Sequence, residues 1–255
     1  MEAFFFPTTN NLRLMGVWRG AGNVKRTWIL CPPFAEEEKS ARRVLTQIAQ
    51  LIEGRGEASL LFSWRGTADS EGDFANASLT AWRQDLAAVH AEAQKRTPTA
   101  SIALLGVRLG ASLALQSAQE LGAKQLVLIE PLLSGRSFLM QQNARKQIRA
   151  QLTGDDTPAS TAALPSDDLD GWALGDTMKS ELSALDLRRD SPQFSGQSHV
   201  FQVGPRPEIA PPLAAFAGTL GATSQAIVMP PFWNLIDYAD PTPLLKGLES
   251  EVWSG

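Results

Sequence analysis

Short apolar strands alternate with amphipathic helices from residue 27 onward, and this alternation restricts the fold more than any other feature of the sequence. Continuous apolar runs predict strands buried on both faces, and apolar residues at helical spacing predict the helices between them. The predicted strands cover residues 27–31, 58–63, 101–105 and 125–129, and the predicted helices cover residues 36–53, 79–96 and 109–121. Because the connections are short, the pattern predicts an α/β fold with a mostly parallel central sheet flanked by helices.

Further strands and helices are predicted on both sides of this alternating region. Two strand-like runs at residues 2–7 and 12–19 flank turn-forming residues and predict an antiparallel hairpin ahead of the parallel strands. Near the C-terminus the pattern predicts strands at 199–203 and 225–229 and helices at 212–220 and 243–253.

Between Pro131 and residue 192 the alternation is interrupted. The sequence there predicts a helix over residues 138–151, a stretch rich in Asp, Pro, Ser and Thr, and further helices that end near Leu187. Since the strand pattern resumes afterwards, this segment is predicted to be an insertion. We therefore predict an α/β core of residues 1–132 and 193–255 with a helical cap insertion at 133–192.

Composition narrows the classes of protein that fit. A chain of 255 residues with 44% hydrophobic and 20% charged residues is predicted to form one globular core. The net charge of −4 predicts no general attraction to nucleic acid or anionic membranes. Cys31, the single cysteine, excludes an internal disulfide and suits a reducing compartment. Because the sequence has no basic leader and no bilayer-length apolar stretch, we expect a cytoplasmic protein without a membrane span.

A sharp strand-to-helix turn is predicted at Gly106-Val107-Arg108-Leu109-Gly110. The nucleophile elbow of α/β-hydrolases has the form Gly-x-Ser-x-Gly at such a junction, and Arg108 stands where the serine would be. The alternative is an ordinary glycine pair at a helix–strand packing site. Residues 64–74 resemble the loop that follows the preceding strand in many α/β-hydrolases, although a surface turn built from Gly, Asp and Ser is the alternative.

The other members of a Ser-His-acid triad are not found where this fold would place them. The loop after the last predicted strand, residues 229–234, contains no histidine, and His90 and His199 lie in a predicted helix and strand. Glu208 alone lies near the position of the acid. Ser112 is predicted to pack within a helix, and Cys31 to be a small buried hydrophobic residue, so neither is favoured as a replacement nucleophile.

Several segments resemble one family of the α/β-hydrolase superfamily, the exosortase A system-associated hydrolase 2 family. The resemblance is carried by Pro32–Arg43, by the turn at Arg108, by Pro230-Pro231-Phe232-Trp233 and by Gly171-Trp172-Ala173-Leu174. It implies an α/β-hydrolase fold, in a family named as hydrolases, in Gram-negative bacteria that sort proteins with a C-terminal Pro-Glu-Pro signal and make exopolysaccharide. It implies no substrate.

Two functions are consistent with these residues. The first is a hydrolase or transferase that uses a non-standard set of residues. The second is a non-catalytic protein in which Arg108 and the N–H of Leu109 bind an anionic small molecule or a peptide carboxylate, because a guanidinium at a helix N-terminus favours anions. Further candidates for the pocket are Pro33, Phe34, Glu36, Glu37, Glu130, Phe232 and Trp233.

Alternatives remain open for the charged candidates. Glu36, Glu37 or Glu130 would compensate Arg108 if they pair with it inside the protein. The run Glu36–Lys39 also fits a solvated first turn of a helix, and Arg145–Arg149 fits a helix surface. No metal cluster and no cofactor-binding glycine loop is predicted, and a homodimer through the last helix is left open.

Overall fold

The computed structural model describes residues 1–153, 168–169, 171–190, 192–235 and 237–253. Its strands are β1 Glu2–Pro7, β2 Arg13–Arg19, β3 Arg26–Cys31, β4 Ala58–Phe62, β5 Ser101–Val107, β6 Gln125–Ile129, β7 Asp168–Leu169, β8 Trp172–Ala173, β9 Gln197–Gly204 and β10 Thr223–Val228. Its α-helices are α1 Glu36–Gly54, α2 Leu79–Arg96, α3 Leu109–Ala118, α4 Gly135–Thr153, α5 Asp176–Ala184, α6 Leu187–Asp190, α7 Pro211–Leu220 and α8 Thr242–Val252. Short 3-10 turns lie at Phe74–Asn76 and Phe232–Asn234.

Eight strands form one sheet in the order β1-β2-β4-β3-β5-β6-β9-β10. Strand β2 is antiparallel to both of its neighbours, and the remaining pairs are parallel. The predicted fold class, a mostly parallel sheet flanked by helices, is confirmed. The two-residue strands β7 and β8 form a separate antiparallel pair.

Both faces of the sheet are covered because successive strand residues point to opposite sides. In β3, Trp28 and Leu30 pack with α1 and α8, whereas Ile29 and Cys31 pack on the other face with α2, α3 and α7. All four of these side chains are completely buried. Burial on both faces explains why the parallel strands are continuous apolar runs in the sequence.

The predicted element boundaries differ from the structure where tertiary contacts decide them. Helix α4 begins at Gly135 instead of 138, because Gly135 lies directly against the carbonyl of Leu182 and its N–H donates to Leu185 O at 2.9 Å. The helices predicted to end near Leu187 continue to Asp190 in α6. The β7–β8 pair was not predicted, since two-residue strands show no periodicity.

The segment between β6 and β9 contains α4, β7, β8, α5 and α6. The stretch rich in Asp, Pro, Ser and Thr falls largely at 154–167, outside the described residues. The division into a core and a cap insertion at 133–192 stays a prediction. Over the described residues, none of the helices combines the length and apolarity that crossing a bilayer requires.

Candidate functional site

The turn between β5 and α3 places Arg108 at the carboxyl edge of the sheet. Its backbone has φ 56° and ψ −122°, a conformation that is costly for a residue with a side chain. The Arg108 N–H donates to Ile129 O of the neighbouring β6 at 2.9 Å, and Arg108 O accepts from Ala111 N at 3.0 Å. These bonds hold the strained residue between the end of a strand and the first turn of a helix.

Two glycines make this turn sterically feasible. A Cβ atom added to Gly106 would overlap the backbone of Ala111, and one added to Gly110 would overlap the carbonyl oxygens of Cys31 and Pro32. Helix α3 therefore approaches the end of β3 more closely than any other residue type would permit.

Replacing Gly110 with alanine is expected to lower the free energy of unfolding by about 1–3 kcal/mol or more, because the added methyl group meets backbone that cannot move aside. Gly54 is the matched control, since a Cβ there meets nothing within 4 Å at the end of α1. Gly54→Ala is expected to change stability by less than about 1 kcal/mol, in the stabilising direction. Urea unfolding of both variants measures the difference, and equal effects would contradict the close-approach explanation.

The Arg108 side chain is held against a carboxylate inside the protein. Its Nε and Nη2 atoms each lie 3.4 Å from Oε1 of Glu37. The guanidinium carbon lies 5.2 Å from the centre of the Trp233 ring and 5.9 Å from that of Phe138. With 11% of its side chain exposed, Arg108 is a largely buried cation between one acid and two aromatic rings.

Glu37 comes from the first turn of α1, just after Ala35, which has φ 49°. Its side chain is 6% exposed, and its Oε2 atom has no hydrogen-bond partner among the described residues. Burial raises the pKa of Glu37, while the charges of Arg108 and Arg145 oppose this rise. The expected solvated first turn at 36–39 is thus wrong for Glu37 and Glu38, which are both buried.

Replacing Glu37 with glutamine tests this electrostatic balance. The folded-state pKa of Glu37 is raised, so wild-type stability relative to Glu37→Gln is greatest below the ordinary glutamate pKa of about 4.3. It is then lost as the pH rises through the raised folded pKa, at up to about 1.4 kcal/mol per pH unit. Chemical denaturation of both proteins at several pH values measures this difference. A difference that stays constant with pH would contradict a raised pKa.

The other two acids lie close by but have different partners. Glu130 follows β6 with φ 47°, and its Oε1 accepts the N–H of Val203 at 2.9 Å. Burial raises the pKa of Glu130, while this hydrogen bond and the charge of Arg108 lower it. Glu36 is exposed and lies 3.2 Å from Trp172 Nε1 and 2.7 Å from Lys39 Nζ. Of the three acids, the structure brings Glu37 into contact with Arg108.

Most of the apolar candidates are buried and pack against other side chains near the site. Phe34 is 2% exposed and packs edge-on against Phe74 and Phe138. Pro33 and Leu109 are buried, and Phe232 packs against Trp233 with ring centres 4.9 Å apart. Trp233 is the apolar candidate whose ring faces the Arg108 guanidinium.

No protein-family model matches the sequence, and no curated protein matches it. Solved structures do match. A Butyrivibrio proteoclasticus protein with ferulic acid bound aligns at a TM-score of 0.68 and 14% identity, covering 99% of this chain and 98% of that chain. A Pyrococcus furiosus esterase aligns at 0.68 and 14%, covering 99% and 90%. A Xanthomonas campestris α/β serine hydrolase without a lid aligns at 0.59 and 19%, covering 99% and 94%.

The chain has the α/β-hydrolase fold. At these identities the likeness concerns the fold alone. Arg108 lies at the tip of the turn after β5 and has the strained backbone described above. Its correspondence to a nucleophile elbow stays a prediction.

The loop that carries the catalytic base in α/β-hydrolases follows the last strand. Here that loop forms the 3-10 turn Phe232–Asn234, and Trp233 faces Arg108 from it. His90 lies within α2, where it contacts the backbone of Leu121. His199 lies in β9, with its Nδ1 2.9 Å from Thr223 Oγ1. Neither histidine contacts Arg108 in the described structure.

The two side chains that could replace the nucleophile, Ser112 and Cys31, are both buried. Ser112 is completely buried and donates to Leu132 O at 3.0 Å, so it packs within α3 as predicted. Burial raises the pKa of the Cys31 thiol far above its usual range, which disfavours the reactive thiolate. Glu208 is exposed, and its carbonyl accepts from Gln202 Nε2.

Sequence reasoning missed the residues that cover the site. Phe138 of α4 lies beside the guanidinium, and Arg145 Nη1 of the same helix donates to Asn234 Oδ1 at 2.9 Å. Arg145 is exposed, as its expected place on a helix surface requires, and its charge also acts on Glu37. The seven-residue spacing of Phe138 and Arg145 places both on one helix face, and this signal was present in the sequence. The described residues hold no group of three or more His, Cys, Asp and Glu suited to a metal ion.

Proposed function

We propose that this protein is a non-catalytic α/β-hydrolase-fold protein that binds an anionic small molecule or a peptide carboxylate at Arg108. One observation carries the proposal: the guanidinium at the elbow tip is already held against a carboxylate, that of Glu37. A ligand carboxylate would take the place of this internal one.

The hydrogen bonds between Arg108 and Glu37 are long, so a carboxylate with better geometry could replace Glu37. Both Arg108–Glu37 distances are 3.4 Å and end on one oxygen, whereas charge-assisted hydrogen bonds are about 2.7–2.9 Å long. A free carboxylate can present both oxygens to the planar fork of the guanidinium, which Glu37 does not do here. An external anion therefore competes against a poorly aligned internal one.

The surroundings favour an anion with an apolar body. Leu109 is the first residue of α3, so its N–H has no acceptor within the helix and the helix dipole favours negative charge there. The rings of Trp233 and Phe138 flank the guanidinium and offer apolar walls. An aliphatic or aromatic group next to the carboxylate would pack against them.

Access to the site would pass between α4, part of the segment that we interpret as a cap, and the turn after β10. A hydrogen bond between Arg145 and Asn234 ties these two elements, and both side chains are exposed. An exposed hydrogen bond contributes only about 0.5–1.5 kcal/mol, so its opening is compatible with ligand entry.

Isothermal titration calorimetry tests the proposal with hexanoate, phenylacetate, inorganic phosphate and a tripeptide with a free C-terminal carboxylate. The same tripeptide with an amidated C-terminus is the matched control, since it lacks only the charge. We expect the carboxylates with apolar bodies to bind and the amidated peptide to show no binding. Absence of binding across the whole panel, or equal binding of the amidated peptide, would overturn the proposal.

A hydrolase with a non-standard set of residues is the second candidate, and the esterase neighbours are the observation that favours it. A screen of p-nitrophenyl esters of increasing chain length separates the two candidates. We expect no hydrolysis above that of a boiled sample. Hydrolysis that is abolished by Arg108→Ala would establish the enzyme and overturn the non-catalytic proposal.

The resemblance of Pro32–Arg43 and the elbow to the exosortase-associated family supports a biological setting. We place the protein in the cytoplasm of a bacterium that sorts proteins with a C-terminal Pro-Glu-Pro signal and makes exopolysaccharide. The buried, unpaired Cys31 fits a reducing compartment. Deleting the gene should alter such sorting or exopolysaccharide output, and an unchanged phenotype in both would remove this setting.

A further inference from the structure

We propose that the anion binds together with one proton, so that Glu37 leaves Arg108 as a neutral carboxylic acid and donates a hydrogen bond to the ligand. This rests on the proposed function, since it describes how the same site accepts its ligand. The proton becomes part of the binding reaction, and Glu37 becomes the residue that couples affinity to pH.

The charges around Glu37 are balanced before the ligand enters. Arg108 faces Glu37 from the elbow, Arg145 acts on it from α4, and Glu130 faces Arg108 from the end of β6. Among the described side chains, the cations Arg108 and Arg145 therefore accompany the acids Glu37 and Glu130, and Trp233 and Asn234 add no charge from the turn after β10. A bound anion would leave one uncompensated negative charge among largely buried groups, which is energetically costly. Protonating one of the acids removes that charge.

Glu130 is the less suitable acid to take the proton. Its Oε1 accepts the Val203 N–H at 2.9 Å, and a hydrogen bond to the charged form favours that form. Glu38, the neighbour of Glu37 on α1, is likewise tied to Ser63 at 2.7 Å and to Arg42 at 3.1 Å. Both acids keep their partners when a ligand reaches Arg108.

Glu37 has no such alternative support. Within the part of the chain that the structure describes, the hydrogen bonds to its carboxylate come from Arg108, and its buried Oε2 has no partner there. Burial already raises the pKa of Glu37, and transfer of Arg108 to a ligand would remove the strongest opposing influence. A carboxylate stripped of its cation in this position would bind a proton from solvent.

The balance of the step is simple. The ligand carboxylate and one solvent proton enter, and the Arg108–Glu37 contact breaks. One ligand oxygen then accepts from the guanidinium, and the other accepts from the new O–H of Glu37. The total charge of the site is the same before and after binding.

Calorimetry counts the proton directly. Titrating phenylacetate and hexanoate in buffers that differ in ionisation enthalpy, at steps from pH 5 to pH 9, gives the number of protons taken up per bound anion. We expect uptake that approaches one per anion in the window between the pKa values of Glu37 in the free and bound states. Within that window the affinity should fall about tenfold for each pH unit.

The variant Glu37→Gln is the decisive comparison, because its amide keeps a hydrogen-bond donor but cannot titrate. We expect it to bind both anions with no proton uptake and with a pH-independent affinity, and circular dichroism verifies its fold. Glu120→Gln, at an exposed surface acid away from the site, is the matched control and should keep the proton uptake. Binding by the wild type without uptake at any pH, or uptake that survives in Glu37→Gln, would overturn the inference while leaving the proposed function standing. Absence of binding would overturn both.

Discussion

Replacing Arg108 with alanine is expected to weaken carboxylate binding by about 2–5 kcal/mol, or roughly 30- to 5000-fold in Kd. The guanidinium is 11% exposed, so its interaction with an anion is poorly screened by water. Truncation would also leave the neighbouring acids without their nearest cation. Titration of phenylacetate into wild-type and variant protein measures the loss.

Two further variants separate loss of charge from loss of shape. Arg108→Lys keeps the charge but removes the planar fork, so an intermediate affinity is expected. Arg206 is an exposed arginine after β9, and Arg206→Ala is expected to leave Kd within about twofold because exposed charges are screened. Unchanged affinity in Arg108→Ala, with its fold verified, would mean that the anion binds elsewhere.

Replacing Asp85 with alanine is expected to lower the free energy of unfolding by about 3–5 kcal/mol. Asp85 of α2 is completely buried and accepts from Arg65 through Nε at 2.9 Å and through the backbone N–H at 3.1 Å. Burial raises the pKa of Asp85 against the influence of these bonds. Its removal would leave the buried Arg65 guanidinium, in the loop at residues 64–74, without its carboxylate partner. The stacked rings of Trp64 and Trp82 pack in the same region.

The surface pair Arg83–Glu120 provides the matched control for this experiment. Its atoms lie 3.5 Å apart, with 42% and 75% of the side chains exposed. Glu120→Ala should therefore change stability by less than about 1 kcal/mol. The double variant Arg65→Met/Asp85→Leu should recover much of the stability lost in Asp85→Ala, since no unpaired charge remains. Equal losses in the single and double variants would contradict this account.

The elbow was predictable from the sequence because its causes are local. Gly106 and Gly110 enclose three residues with Arg108 in the middle, and this spacing at the junction of an apolar strand and a helix predicts a sharp turn with Arg108 at its tip. The parallel strands were equally predictable, since burial on both faces produces continuous apolar runs. Their bounds agree with the structure to within about two residues.

The partner of Arg108 was only partly predictable. Successive residues of a helix point about 100° apart, so Glu36, Glu37 and Glu38 cannot all face the same way. Glu37 lies four residues before Ala41 and seven before Val44, which are both on the buried face of α1. The helical period therefore places Glu37 on the same buried face. The contact between α4 and the turn after β10 could not be predicted in this way, because Arg145 and Asn234 are 89 positions apart in the chain.

The sequence by itself determined the fold class, the order of strands and helices, and the residue at the tip of the elbow. These follow from periodicity and from steric limits that act over a few residues. Only the tertiary structure decided that Glu37 is the acid in contact with Arg108 and that the rings of Phe138 and Trp233 flank the guanidinium. Such contacts depend on how separate elements pack at the carboxyl edge of the sheet, and no local pattern specifies the distance between side chains from different elements.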